Sequence, residues 1–117
     1  MSLTLYGIPN CDTVKRARAW LAERGVEARF HDFKRAGLEA EHLARWSAAL
    51  GWEALLNRRG STWRALADAD RAAVTDAASA QALMLRQLSL IKRPVVEWPD
   101  GTLSVGFDPE AWARRLA

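Results

Sequence analysis

A single cysteine, Cys11, and only two histidines, His31 and His42, occur among the 117 residues of the chain. One thiol excludes an internal disulfide, a zinc ribbon and any two-cysteine redox relay within the chain. Two imidazoles leave too few ligands for a histidine-rich metal site. No run of about 18 apolar residues is present, so a membrane-spanning helix and membrane partners are not expected. Met1-Ser2-Leu3-Thr4 runs straight into a strand-like alternation rather than the charged and apolar regions of a secretory signal, which makes a cytoplasmic location the expectation. Excess charge is scarce as well. Lys and Arg number 17 and Asp and Glu 14, a net +3. Such a balance suits small anions or acidic surfaces but is too weak and dispersed to argue for nucleic acid.

What is present reads as one small α/β domain over residues 1–117. Alanine inflates the apolar half of the composition, so the core rests on Leu, Val, Ile, Phe and six Trp. Leu3-Thr4-Leu5-Tyr6 alternates and stops at Gly7, predicting a strand. After the turn Ile8-Pro9-Asn10, Val14, Ala17 and Leu21 recur at helical spacing, and Gly25 is a natural stop. Residues 26–33 predict a second strand. A strand-helix-strand unit of this length makes the two strands parallel. Their carboxyl ends, Cys11 and His31-Asp32-Phe33-Lys34-Arg35, then share the sheet edge where open α/β sheets bind ligands.

The middle of the chain is helical. Leu43, Trp46 and Leu50 share a face that Gly51 ends. Ser61 or Thr62 is the expected cap of a turn carrying Trp63 and Leu66, and Ser79 is expected to open a helix burying Met84, Leu88 and Ile91. Residues 95–98 and 102–105 predict an antiparallel hairpin through Pro99-Asp100-Gly101. Asp108-Pro109-Glu110 is a helix start, with Trp112 and Leu116 as the anchors of that helix. Trp46 and Trp112 fit core stripes, and His31 and His42 read as structural.

Cys11 stands where the first helix opens. A thiol attacks as its thiolate, which a helix N-terminus favours through its partial positive charge and unpaired N–H groups. Lys15 and Arg16 add positive potential, Asp12 opposes it, and the Thr13 hydroxyl is a candidate donor to the sulfur. A buried, inert cysteine is the competing reading from position alone.

Five blocks carry a resemblance: Tyr6-Gly7-Ile8-Pro9-Asn10-Cys11-Asp12-Thr13-Val14-Lys15, His31-Asp32-Phe33-Lys34-Arg35, Leu55-Leu56-Asn57-Arg58-Arg59-Gly60-Ser61-Thr62-Trp63, Ile91-Lys92-Arg93-Pro94-Val95-Val96 and Val105-Gly106-Phe107-Asp108. In this order and spacing the chain resembles the arsenate reductase/Spx family, and most nearly its YffB subgroup. The resemblance implies a thioredoxin-like fold, a four-stranded mixed sheet with a helical insertion at roughly residues 36–91. It also implies a cis-proline at Pro94 facing the active cysteine. The nucleophile of the glutaredoxin-coupled arsenate reductases matches Cys11, and one of their three oxyanion-holding arginines matches Arg93. A second falls on Asn57, beside Arg58 and Arg59, and the third falls near Gly106 with no arginine. A histidine of the cysteine loop falls on Gly7 and a sulfur-bonding serine on Val14. The Spx regulators carry Cys-x-x-Cys, whose fourth position is Val14 in this chain.

These features converge on a glutathione-dependent monothiol reductase. Cys11 and Arg93 are its expected catalytic residues, and Asn10, Thr13, Arg58, Arg59 and Pro94 are expected at the substrate. Lys34, Arg35, Arg58, Arg59, Lys92 and Arg93 would form a basic rim for the carboxylates of glutathione. Glutathione is the expected co-substrate, with no bound cofactor or metal. A thiol-disulfide substrate, glutaredoxin or another protein is the expected partner, and a monomer is the simplest state. A non-catalytic protein-binding module of the Spx type and an arsenate reductase with an altered anion site stand as alternatives.

Overall fold

A computed structural model describes residues 2–117. In chain order the elements are β1 (Leu3–Gly7), α1 (Asp12–Glu23), β2 (Ala28–Asp32), α2 (Phe33–Ala36), α3 (Ala40–Leu50), α4 (Trp52–Leu55), α5 (Ser61–Arg64), α6 (Asp68–Ala72), α7 (Ala77–Arg86), a 3-10 turn (Leu88–Leu90), β3 (Val95–Glu97), β4 (Leu103–Val105) and α8 (Pro109–Leu116). They form two compact units. One holds the residues up to Ala36 together with Arg93–Ala117, and the other holds Gly37–Lys92. Among the described residues no helix is long and apolar enough to cross a membrane.

The first unit is built on a sheet of order β2-β1-β3-β4. β1 and β2 run parallel, joined by α1, and β3 lies antiparallel to β1 with Tyr6 opposite Val95. β4 returns antiparallel to β3, as the Pro99-Asp100-Gly101 turn predicts. Alternation along β1 puts Leu3 and Leu5 on the face that receives α1. There Val14, Ala17 and Leu21, three residues of one helical stripe, join Val96, Trp98 and Trp112 in one buried cluster. Removing a Leu or Val side chain from water contributes about 1.5–3 kcal/mol, so this stripe orients α1 on the sheet. The Trp112 ring meets the rings of Phe107, Trp98 and Trp20 edge-on, at 4.8, 5.2 and 5.9 Å between centroids.

Two expectations for this unit shift. The second strand is shorter than residues 26–33, because the Val26 N–H is used to close α1 on the Leu21 carbonyl, 3.0 Å away. At its other end the Asp32 carboxylate accepts the N–H groups of Lys34 and Arg35, which turns the chain into α2 and buries Phe33. Leu116 does not anchor α8, being 36% exposed where Trp112 is 2% exposed. A shared helix face buries a side chain only where another element lies beneath it. Leu116 sits in the last turn, outside the core cluster.

In the second unit Leu43 and Trp46 of α3 are fully buried, and Leu50 is half-buried. His42 has a local partner that its position in sequence did not suggest, as its Nδ1 accepts the Glu39 N–H at 3.1 Å and helps start α3. An antiparallel bridge between Leu56 and Ile91 joins the ends of the unit. Gly60, not Ser61 or Thr62, is the N-cap of α5. A Cβ at Gly60 would lie 2.8 Å from Asn57 Nδ2, so glycine lets the Asn57 side chain fold against the turn. α7 opens before Ser79. Asp76 caps it by accepting the Ser79 N–H, and the Ser79 hydroxyl accepts the Asp76 N–H in return. Because α7 ends at Arg86, Leu88 falls in the 3-10 turn and is half-buried, and Leu90 takes the interior position with Met84 and Ile91. Arg71 gathers the carbonyls of Trp63, Arg64 and Leu66 and pairs with Asp68, tying α5 to α6.

Candidate active site

The site grows from the carboxyl end of β1. After Gly7 the chain turns through Ile8-Pro9-Asn10, and the Cys11 N–H donates back to the Ile8 carbonyl at 3.3 Å. Cys11 then takes the N-cap position of α1 with extended backbone, φ −96° and ψ 126°, and its carbonyl accepts the Lys15 N–H at 2.9 Å. An N-cap side chain normally accepts from the second or third helical N–H. The Cys11 side chain makes no such capping hydrogen bond, but the N–H groups of Thr13 and Val14 act on its sulfur and favour its charged form.

The second contribution comes from the neighbouring strand. β3 runs antiparallel beside β1, so the residues just before Val95 lie next to the end of β1 that leads to Cys11. These residues are Arg93 and Pro94. The Arg93–Pro94 bond is cis, as the resemblance implies, and the buried Pro94 accepts the Gly106 N–H on its carbonyl at 2.9 Å. The Arg93 guanidinium stands at the Cys11 sulfur, and its charge favours the thiolate.

Partial burial pulls the Cys11 thiol up. The Val14 N–H, the Arg93 guanidinium and the Thr13 N–H together outweigh it, and the thiol lies below its ordinary range. Each of these groups favours the charged form: the donors because an anion accepts hydrogen bonds more strongly, the guanidinium also through its charge. A half-buried thiolate with a fixed cation beside it is an accessible nucleophile.

Cys11, Thr13, Arg93 and Pro94 come together in the first unit. Thr13 acts on the sulfur through its backbone N–H, where a hydroxyl was expected. Lys15 and Arg16 are exposed on α1, with the Arg16 guanidinium 5.6 Å from the Phe107 ring centre, and the cation that reaches the sulfur is Arg93. Asn10 is exposed in the turn before Cys11, and Lys34 and Arg35 are exposed on α2. His31 tilts against the Tyr6 ring at 4.9 Å, in keeping with a structural place.

Arg58 and Arg59 belong to the second unit, in the loop after α4. With Lys92, Glu53 and Leu56 they line an open cavity of about 380 Å3. The Arg58 guanidinium lies 5.7 Å from the Trp52 ring centre, and the Arg59 N–H donates to Asn57 Oδ1 at 3.1 Å. The Val14 N–H is the functional group that residue-type reasoning passed over. A backbone donor leaves no mark in side-chain chemistry, and its only signal is the count of three residues from an N-cap cysteine.

A cysteine capping the first helix of a βαβ unit, with a cis-proline just before the antiparallel neighbour strand, defines a thioredoxin-like protein. The chain belongs to the ArsC family, whose family model matches residues 6–115. It is 36% identical over 115 residues to an uncharacterized protein of Haemophilus influenzae, a match covering 98% of this chain and 99% of that one. Among solved structures it is similar to a YffB protein, with 51% identity and a TM-score of 0.93 over 98% of this chain and 99% of that chain. It is also similar to an arsenate reductase (ArsC) related protein from Brucella melitensis, with 51% identity and a TM-score of 0.78 over 99% of this chain and 95% of that chain. The family, the YffB likeness and the mixed four-stranded sheet expected from the sequence blocks therefore hold.

Proposed function

We propose that the protein is a glutathione-dependent monothiol reductase. Membership of the ArsC family supports thiol-dependent reductase chemistry in general terms. The observation that carries the finer reading is a lowered thiol, held by Val14, Thr13 and Arg93, in a chain with no second cysteine.

In the proposed cycle the Cys11 thiolate attacks the glutathionyl sulfur of an oxidised substrate, a mixed disulfide with glutathione. A new S–S bond forms between Cys11 and glutathione, the old one breaks, and the substrate leaves as a thiolate that takes up a proton. A second glutathione, as thiolate, then attacks the glutathionyl sulfur on Cys11. Oxidised glutathione leaves and the Cys11 thiolate returns; in sum the mixed disulfide and one glutathione thiol give the substrate thiol and oxidised glutathione, the proton of the incoming thiol going to the substrate thiolate. Arg93 steadies the thiolate both as attacking and as leaving group.

Mass spectrometry tests the reading. Oxidised glutathione is expected to add one glutathionyl group to the wild-type protein near neutral pH. Reduced glutathione should remove it, and Cys11→Ser should gain none. A Cys11 thiol that stays unmodified under these conditions would sink the proposal.

A further inference from the structure

Gly7 ends β1 and is buried, although its backbone does not occupy the left-handed region that calls for glycine. What it lacks is room. A Cβ built on Gly7 would lie 2.9 Å from Val14 Cγ2 and 3.4 Å from Val14 Cγ1, with Phe30 Cε1 at 3.7 Å. Real Cβ atoms essentially never come as near as the first of these distances. Val14 has no easy way to yield. Its side chain is fully buried, both methyl groups face the glycine, and a β-branched residue inside a helix has one strongly preferred rotamer. In a close-packed interior the strain therefore passes to the backbone, moving the first turn of α1 away from β1. That same turn begins at the N-cap Cys11 and carries the N–H groups of Thr13 and Val14, which favour the charged form of its sulfur.

We infer that Gly7 is a positioning residue: its missing side chain lets Val14 seat against β1, and this seating fixes where the first turn of α1 presents its N–H groups to the N-cap residue Cys11. The inference rests on the reading of Cys11 as the attacking thiol. It assigns to β1 and α1 a close-approach contact, Gly7 against Val14, that tunes the nucleophile from behind without touching substrate. The pull of an N–H group on an anion falls with distance and misalignment, so a displacement of the first turn by a few tenths of an ångström is felt at the sulfur.

A double-mutant cycle tests it, with the pH dependence of Cys11 alkylation by iodoacetamide as the readout. Gly7→Ala in the wild-type background is expected to raise the thiol pKa by about one unit, a roughly tenfold smaller thiolate fraction below both values. In the Val14→Ala background the methyl groups that the new Cβ strikes are gone, and the same substitution should shift the pKa by less than about a third as much. Equal shifts in both backgrounds, or no shift in the wild-type background, would overturn the inference. Should Gly7→Ala alone not fold, a Gly7→Ala/Val14→Ala protein that folds, with a thiol matching that of Val14→Ala, supports it. A double variant that also fails to fold, or whose thiol is raised relative to Val14→Ala, counts against it. Iodoacetamide does not involve glutathione, so a protein that ignores oxidised glutathione defeats the proposed function while leaving this comparison readable.

Discussion

Cys11 is charged at a pH where a free thiol is mostly neutral, and that charge is a folding interaction as well as a chemical one. The folded thiol lies below the ordinary range, so the unfolded chain holds more protons than the folded one between the two values. The thiolate's stabilisation is therefore complete above the unfolded thiol value of about 8.5 and is lost as pH falls through the folded value. Urea unfolding of wild type and Cys11→Ser across this window should show the wild-type advantage growing as pH rises. Adding Arg93→Ala, which removes the cation at the sulfur, should confine that growth to a narrower interval at the upper end. Parallel pH curves for wild type and Cys11→Ser would mean that the thiolate is not held by the fold. Thr13 illustrates the limit of reading single residues. Its type suggested a hydroxyl donor, yet its place in the first turn makes the backbone N–H the group that counts.

At the scale of elements, helix ends decide the outcome more than helix interiors. Asp108 accepts the Glu110 and Ala111 N–H groups at 3.1 and 3.3 Å, with Pro109 in the first turn. Asp108→Ala should therefore cost about 1 kcal/mol in urea unfolding. Leu116→Ala, outside the core cluster in the same helix, should stay within about 0.5 kcal/mol of wild type. A larger loss at Leu116 than at Asp108 would reverse this ranking. The Asp108 start, the α1 stripe and the hairpin were all legible in sequence, because each rests on local chemistry within a few residues. The parts that were not legible depend on partners brought by folding. Ser79 looked like a cap until Asp76 supplied one, residues 26–27 looked like strand until α1 used the Val26 N–H, and Leu116 looked like core. Cys11 and Arg93 were both legible as site residues, but their meeting required the β1–β3 pairing across more than eighty residues of sequence.

For the whole molecule, a net charge of +3 is small, and what bears on the thiol is the few cations near it. In the first unit Arg93 stands at the sulfur, and Lys15 and Arg16 are exposed on the helix that Cys11 caps. A field of this kind raises the encounter rate of anions and is screened within about 8 Å at physiological salt. Stopped-flow reaction of Cys11 with anionic oxidised glutathione should thus slow as salt is added, whereas reaction with the uncharged hydroxyethyl disulfide should hold steady. Equal salt dependence for the two disulfides would remove electrostatic attraction from the account. The tryptophans divide between the units in a manner that has an optical consequence. Trp20, Trp98 and Trp112 meet ring to ring in the first unit, and Trp46, Trp52 and Trp63 belong to the second. Near-ultraviolet circular dichroism reads the fixed asymmetry around such rings and vanishes when tertiary packing loosens. Replacing one trio with phenylalanine would leave a chain whose spectrum reports the melting of the other unit alone.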